Sequence, residues 1–254
     1  MYLPPGYAQT SDRRYPILVL HDGQNLFDPD RAYVKGAAWQ VAQTADRVIA
    51  AGRVEPLVIV GVDHAGPTRI DEYTPTPGNR RGAGQAARHA AFLVDELLPF
   101  IGRTYAVATA AEQVGLGGSS LGGLATLFVA ATYPARFGRL LVMSPSVWWD
   151  RRAILPIVRK CLAPAAVEGL RIWLDVGIKE GARPVADARR LCDILAHHAP
   201  GTLRYVEDPD GDHSERSWGR RFGDALEFLF GVPAAVGGET RTAVPVTSTR
   251  RPAL

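Results

Sequence analysis

Cysteine is scarce: Cys161 and Cys192 are the only two in 254 residues, 31 positions apart. Neither has a neighbour at the spacing of a zinc site or a CxxC redox pair, which excludes both as organising features. A disulfide between them stays open; the simpler expectation is two partly buried small side chains. Long apolar runs are also missing, and no stretch approaches the ~20 residues that a membrane-spanning helix requires. The opening Met1-Tyr2-Leu3-Pro4-Pro5-Gly6 has neither the basic flank nor the apolar segment of a secretory leader, so a cytoplasmic protein is expected. Charge of one sign is not concentrated either. The net +3 is spread along the chain, without the basic arm or patch that nucleic-acid binding needs. No internal repeat is present, and 46% hydrophobic with 22% charged residues fits one globular domain with a sizeable core.

What is present is an alternation of two periods. Short β-favourable runs occupy 15–20, 57–62, 112–116, 140–143, 171–176 and 203–206, with branched side chains such as Val58, Ile59 and Val60 suited to a buried strand. Between them, apolar residues return every three or four positions: Ala90, Leu93, Val94, Leu97 and Leu98; Leu124, Leu127, Phe128 and Ala131; Val185, Ala188, Leu191, Cys192 and Leu195; Trp218, Phe222, Ala225, Leu226 and Leu229. Strands alternating with helices predict an α/β fold, a mostly parallel central sheet with helices on both faces. The stretch 63–81 reads as a long loop, and 144–169 as loops mixed with short helical turns. Residues 1–232 are expected to form one catalytic domain, and 233–254 a flexible tail.

The sharpest motif is Gly118-Ser119-Ser120-Leu121-Gly122, a G-x-S-x-G between a strand and a helical stripe. Glycines there permit an abrupt strand-to-helix turn that projects Ser120, with the Leu121 N–H facing a developing oxyanion. Ser119 is the alternative nucleophile if the register shifts by one, and a plain Gly/Ser connection is the bland reading.

A serine hydroxyl needs a base. Of six histidines, His213 fits best: Asp210-Gly211-Asp212-His213-Ser214 is turn-like, precedes the last helical stripe and follows Ser120 in the hydrolase chain order. His197 and His198 suit surface or capping roles, and His21 suits an oxyanion-loop or structural one. The acid that orients the imidazole is expected at Glu180, just beyond the strand 171–176, with Asp175 and Asp187 as alternatives.

Further segments extend the pattern: Tyr2-Leu3-Pro4-Pro5-Gly6-Tyr7, Leu20-His21-Asp22-Gly23-Gln24-Asn25-Leu26-Phe27, Ile59-Val60-Gly61-Val62-Asp63, Arg69-Ile70-Asp71-Glu72-Tyr73-Thr74-Pro75, Val176-Gly177-Ile178-Lys179-Glu180 and Gly211-Asp212-His213-Ser214. With these the chain resembles the "Putative esterase" family of α/β-hydrolases, from Tyr2 to about Phe230. That family includes feruloyl and acetyl-xylan esterases, siderophore esterases, S-formylglutathione hydrolases and related mycolyltransferases. The resemblance implies Ser120 as nucleophile, His213 as base, Glu180 as acid and the Gln24 N–H as a second oxyanion donor. It also places Trp148 and Trp149 near the acyl pocket, with Arg69 and Tyr73 on the opposite loop; packing alone explains at least one of the tryptophans equally well. The family carries more sheet before its Leu-Pro-Pro-Gly-Tyr segment, so either a shortened sheet or a late start of the sequence is expected.

The expected function is a serine hydrolase that cleaves a small-molecule or carbohydrate-linked carboxylic ester through an acyl-enzyme. No cofactor, metal, nucleic acid or membrane is expected to take part. An acyltransferase using the same intermediate and a noncatalytic binding protein on the same scaffold are the rivals.

Overall fold

The computed structural model describes residues 1–7, 12–79, 83–162, 169–198 and 202–232; the expected tail lies outside the described residues. Six strands form one sheet: β1 (Ile17–His21), β2 (Val58–Val62), β3 (Val114–Ser119), β4 (Arg139–Met143), β5 (Arg171–Gly177) and β6 (Leu203–Asp208). Their order is β2-β1-β3-β4-β5-β6, with every neighbouring pair parallel. The connections carry α1 (Val41–Ala50), α2 (Arg69–Tyr73), α3 (Ala86–Ala91), α4 (Leu98–Thr104), α5 (Leu121–Thr132), α6 (Trp149–Arg152), α7 (Ile154–Cys161), α8 (Ala182–His198) and α9 (Glu215–Phe230). This is the α/β-hydrolase fold. At the outer edge, β2 carries one antiparallel bridge, between Tyr2 and Ile59.

Side-chain alternation on the strands fills two cores. Ile17, Val19, Leu140, Val142, Ile172 and Leu174 pack on one face with α5, α7 and α8. Leu18, Leu20, Leu141, Met143 and Trp173 pack on the other with α1 and α9. Burial on both faces explains why the strands read as continuous apolar runs. α5 is covered nearly all round, from Leu121 to Ala131, because it lies against the sheet and beneath α3 and α7.

Four details depart from the sequence reading. β3 runs on through its glycines to Ser119, because the glycine side faces neighbours with no room to spare: a Cβ on Gly117 would lie 2.5 Å from the Leu141 Cβ. α1 was not anticipated, although Val41, Ala45 and Val48 form its buried stripe against α9. α2 interrupts the expected long loop. Residues Phe92–Leu97 wind as π-helix just ahead of Pro99, which lacks an N–H and whose ring crowds the carbonyl four residues back. Cys161 is exposed and Cys192 half-buried, both as free thiols. Among the described residues no helix is long and apolar enough to cross a membrane.

The α9 face is held by large apolar side chains, among them Phe222, whose ring meets Trp39 edge-on at 5.9 Å. Phe222→Ala is expected to cost about 3–5 kcal/mol and to lower the melting temperature by roughly 10 °C or more. A loss under about 1 kcal/mol in urea unfolding would show that this face does not anchor the sheet.

Candidate active site

β3 ends at Ser119 and α5 begins at Leu121, so Ser120 alone makes the turn, at φ 56° and ψ −121°. Such a conformation costs a residue with a Cβ about 1–3 kcal/mol, so neighbours must hold it. The Ser120 N–H donates to the Met143 carbonyl at 3.0 Å, and its own carbonyl accepts from the Ser146 N–H at 2.9 Å. Close approach completes the restraint, since a Cβ on Gly118 would come within 3.1 Å of both the Gly122 Cα and the His21 Cβ. The connections from β1 and β3 leave in opposite directions along the sheet, which opens a crevice at their carboxyl ends. A cleft of about 490 Å³ lies there, lined by Asp22, His64, Arg69, Ser120, Leu121, His213 and their neighbours.

Two loops from the other half of the sheet reach the same point. β5 continues into a 3-10 turn, Ile178–Glu180, and β6 into the turn before α9. They touch backbone to backbone: a Cβ on Gly177 would lie 2.3 Å from the Gly211 carbonyl oxygen. The Lys179 N–H donates to that oxygen at 2.9 Å. Asp212 accepts from the hydroxyls of Ser214 and Ser217, both at 2.5 Å, and Ser214 caps α9.

Ser120, His213 and Glu180, far apart in sequence, are thereby brought together. The His213 Nε2 is 2.9 Å from the Ser120 Oγ, and its Nδ1 is 2.6 Å from the Glu180 Oε2. The imidazole keeps 46% exposure while the Glu180 side chain keeps 2%. Burial alone would raise the Glu180 pKa, but hydrogen bonds from His213, Ser144 and the Gly177 N–H outweigh it and hold the carboxyl below its ordinary range. An imidazole bridging a hydroxyl and an ionised carboxylate can take the hydroxyl proton and stabilise the charge it acquires.

The two alternative acids are engaged elsewhere. Asp175 is fully buried, paired with Arg221 at 2.9 Å and bonded by the Trp173 Nε1 at 2.7 Å. Asp187 pairs with Arg152 at 2.6 Å. Ser119, the last residue of β3, is buried beside Ser120. His197 is exposed near the end of α8. The Leu121 N–H opens α5 and the Gln24 N–H lies in the 3-10 turn Gly23–Asn25, positions without an intrahelical acceptor.

The expected pocket residues separate. Arg69 does line the cleft, held by a two-pronged ion pair with Asp22 at 2.6 and 2.7 Å. Tyr73 does not: it is wholly buried, and its hydroxyl accepts from the Asp22 N–H at 3.2 Å. Trp149 is likewise buried, its Nε1 donating to the Thr76 carbonyl at 2.9 Å. Trp148 is exposed, and the two tryptophans line a neighbouring hollow with Gly78, Asn79, Asp150 and Arg151 instead. Sequence reasoning missed Asp22 and Ser144. Asp22 sits inside the His21-Asp22-Gly23-Gln24-Asn25 motif and was signalled by it; Ser144 had no local signal. Trp218, expected as core, also lines the cleft. Among the described residues no group of three or more His, Cys, Asp and Glu side chains is placed to hold a metal.

Comparison with known proteins gives the family and the fold. A family model described as "Putative esterase" matches residues 1–229. The uncharacterised protein YbbA of Bacillus subtilis (strain 168) is 25% identical over 246 residues, 91% of each chain. The iron(III) enterobactin esterase of Escherichia coli (strain K12) is 36% identical over 127 residues, which are 48% of this chain and 31% of that enzyme. The alignment thus spans less than a third of that relative's length. Among solved structures, the BES protein from Bacillus cereus shares the fold, with a TM-score of 0.71, 23% identity, and coverage of 90% of this chain and 87% of that one.

Beneath the cleft, His21 and His89 face each other, with Nδ1 and Nε2 3.3 Å apart and Tyr73 against both rings. Burial, then the proximity of His89 and Arg69, pushes His21 well below its ordinary value, and burial pushes His89 down to about 4. Both therefore stay neutral in the folded chain where the unfolded chain would protonate. Stability should fall as pH drops below about 6.5 and the His89 contribution to that fall should end near 4. Between pH 7 and 5 His89 alone accounts for on the order of 2 kcal/mol. His89→Gln is expected to flatten that slope in urea unfolding at the two pH values, and an unchanged slope would rule the assignment out.

Proposed function

Since this chain belongs to the "Putative esterase" family and is an esterase-type serine hydrolase, we propose that it cleaves a carboxylic ester with Ser120 as nucleophile, His213 as base and Glu180 as orienting acid. The observation that carries this reading is the continuous chain of contacts from the Ser120 Oγ through both nitrogens of His213 to Glu180. As the Ser120 oxygen attacks the ester carbonyl, its proton passes to the His213 Nε2, while the Nδ1–H goes on donating to Glu180. The N–H groups of Leu121 and Gln24 stabilise the negative oxygen. Collapse breaks the C–O bond, His213 delivers its proton to the departing alcohol, and an acyl-Ser120 ester remains. Water, deprotonated by the same imidazole, then attacks the acyl carbon, releases the acid and returns the proton to Ser120.

Hydrolysis rather than transfer is favoured because the imidazole is nearly half exposed, so water reaches it freely. The cleft suits a small-molecule ester with polar substituents: Asp22, His64, Arg69 and Glu215 line it beside exposed Tyr33 and Val34. The likeness to an iron(III) enterobactin esterase makes catecholate-type siderophore esters the first class to assay, ahead of feruloyl and acetyl-sugar esters. Residues 1–232 are proposed to act as one catalytic unit.

Ser120→Ala should fold normally and lose kcat by about 10⁴- to 10⁶-fold on short aryl esters, together with covalent labelling by an organophosphonate. Glu180→Gln should lose about 10²- to 10⁴-fold, since the amide no longer fixes the imidazole tautomer. Turnover by pure, folded Ser120→Ala at the wild-type rate would sink the reading.

A further inference from the structure

One buried hydroxyl behind the site has its proton direction fixed by its neighbours. Ser144 directly follows β4 and is 3% exposed. Its backbone adopts φ 42°, the left-handed region a serine rarely enters. Its N–H donates to the Asp175 carbonyl at 2.9 Å, which fixes the residue in that posture.

The Ser144 Oγ has three polar neighbours. The Trp218 Nε1 lies at 3.0 Å, the Arg221 Nη2 at 3.2 Å and the Glu180 Oε1 at 2.5 Å. An indole N–H and a guanidinium can only donate, and a hydroxyl has two lone pairs and one proton. Both lone pairs are therefore taken, and the proton has one place to go: Glu180. Arg221 cannot swing away to release it, because Asp175 and Asp208 hold its other contacts at 2.9 and 3.0 Å. Glu180 Oε1 also accepts from the Gly177 N–H at 2.8 Å. With two donors on Oε1, the other oxygen, Oε2, is left for His213.

From this we infer that Ser144 is a positioning residue, an obligate donor that keeps Glu180 an acceptor and so confines the His213 proton to Nδ1, leaving Nε2 free to take the proton of Ser120. Trp218 serves the arrangement twice. Its N–H pins the Ser144 hydroxyl, and its ring stands edge-on to His213 with centroids 4.9 Å apart and planes at 84°. The inference rests on the proposed roles of Ser120, His213 and Glu180, but it concerns which nitrogen carries the proton, a property observable without turnover.

Two variants test it. Ser144→Gly removes the hydroxyl while suiting the positive φ, so the backbone has no reason to move. Trp218→Phe keeps a ring beside His213 but frees one lone pair of Ser144. Nitrogen NMR of the neutral His213 ring in the wild type should show the Nδ1–H tautomer and not the Nε2–H one. Ser144→Gly should show a mixture of the two tautomers and a kcat lower by about 10- to 100-fold, with KM within about twofold. Trp218→Phe should fall between wild type and Ser144→Gly in both readouts. Either the wild-type tautomer in folded Ser144→Gly, or a mixture already in the wild type, overturns the inference. Lost kcat with an intact tautomer overturns it as well, since the hydroxyl would then act by another route. Wild-type turnover by Ser120→Ala would instead defeat the reading of the active site and leave the tautomer result standing.

Discussion

Holding a serine at φ 56° on the carboxyl edge of a parallel sheet is the constraint on which the rest of the structure depends. An isolated strand-to-helix junction would relax out of it, because the strain is comparable to one or two net hydrogen bonds. Here the junction is bonded on both sides, to Met143 at the end of β4 and to Ser146 beyond it. The glycines before and after it let α5 close onto His21 without a clash. The turn is thus over-determined by strands that have nothing to do with its own sequence, and the hydroxyl stays aimed at the crevice.

The second requirement is to give the carboxylates buried near that hydroxyl their hydrogen-bond partners. Isolated, each would be neutralised by desolvation. The fold meets this with a connected set of donors behind the cleft: Arg221 serves Asp175 and Asp208, and Ser144, Gly177 and His213 serve Glu180. On the opposite side Asp22 is matched by Arg69 in a two-pronged pair. Every one of these carboxylates has a cation or donors, shared or its own, so the imidazole of His213 is left with a single strong partner on Nδ1 and a single hydroxyl on Nε2. The two halves of the site come together where the Gly177 and Gly211 backbones touch, a contact that no side chain at Gly177 would allow.

The α/β architecture was legible in the sequence because its signals are periodic and local. Branched runs such as Val58-Ile59-Val60 and stripes such as Leu191, Cys192 and Leu195 declare themselves within a single window. α1 escaped because its stripe is short and interrupted by the polar Thr44, and the end of β3 escaped because glycine carries no strand propensity. Ser120, His213 and Glu180 were legible by motif and chain order, each sitting at a turn after a strand. Tyr73 and Trp149 are buried where the pocket was expected, because an aromatic in a loop segment gives no sign of which way it faces, while Trp148 stays exposed on the neighbouring hollow. Tyr73 turned inward to Asp22, and Trp149 to Thr76.

The sequence by itself determined most of the elements and the candidate reactive side chains, since periodicity, glycine spacing and turn residues are properties of neighbours along the chain. Only the tertiary structure decided which carboxylate faces His213, which arginines pair with the others, and where the one proton of Ser144 points. Those outcomes depend on distances between residues 13 to 77 positions apart, and electrostatics and hydrogen bonding follow separation in space, not separation in sequence.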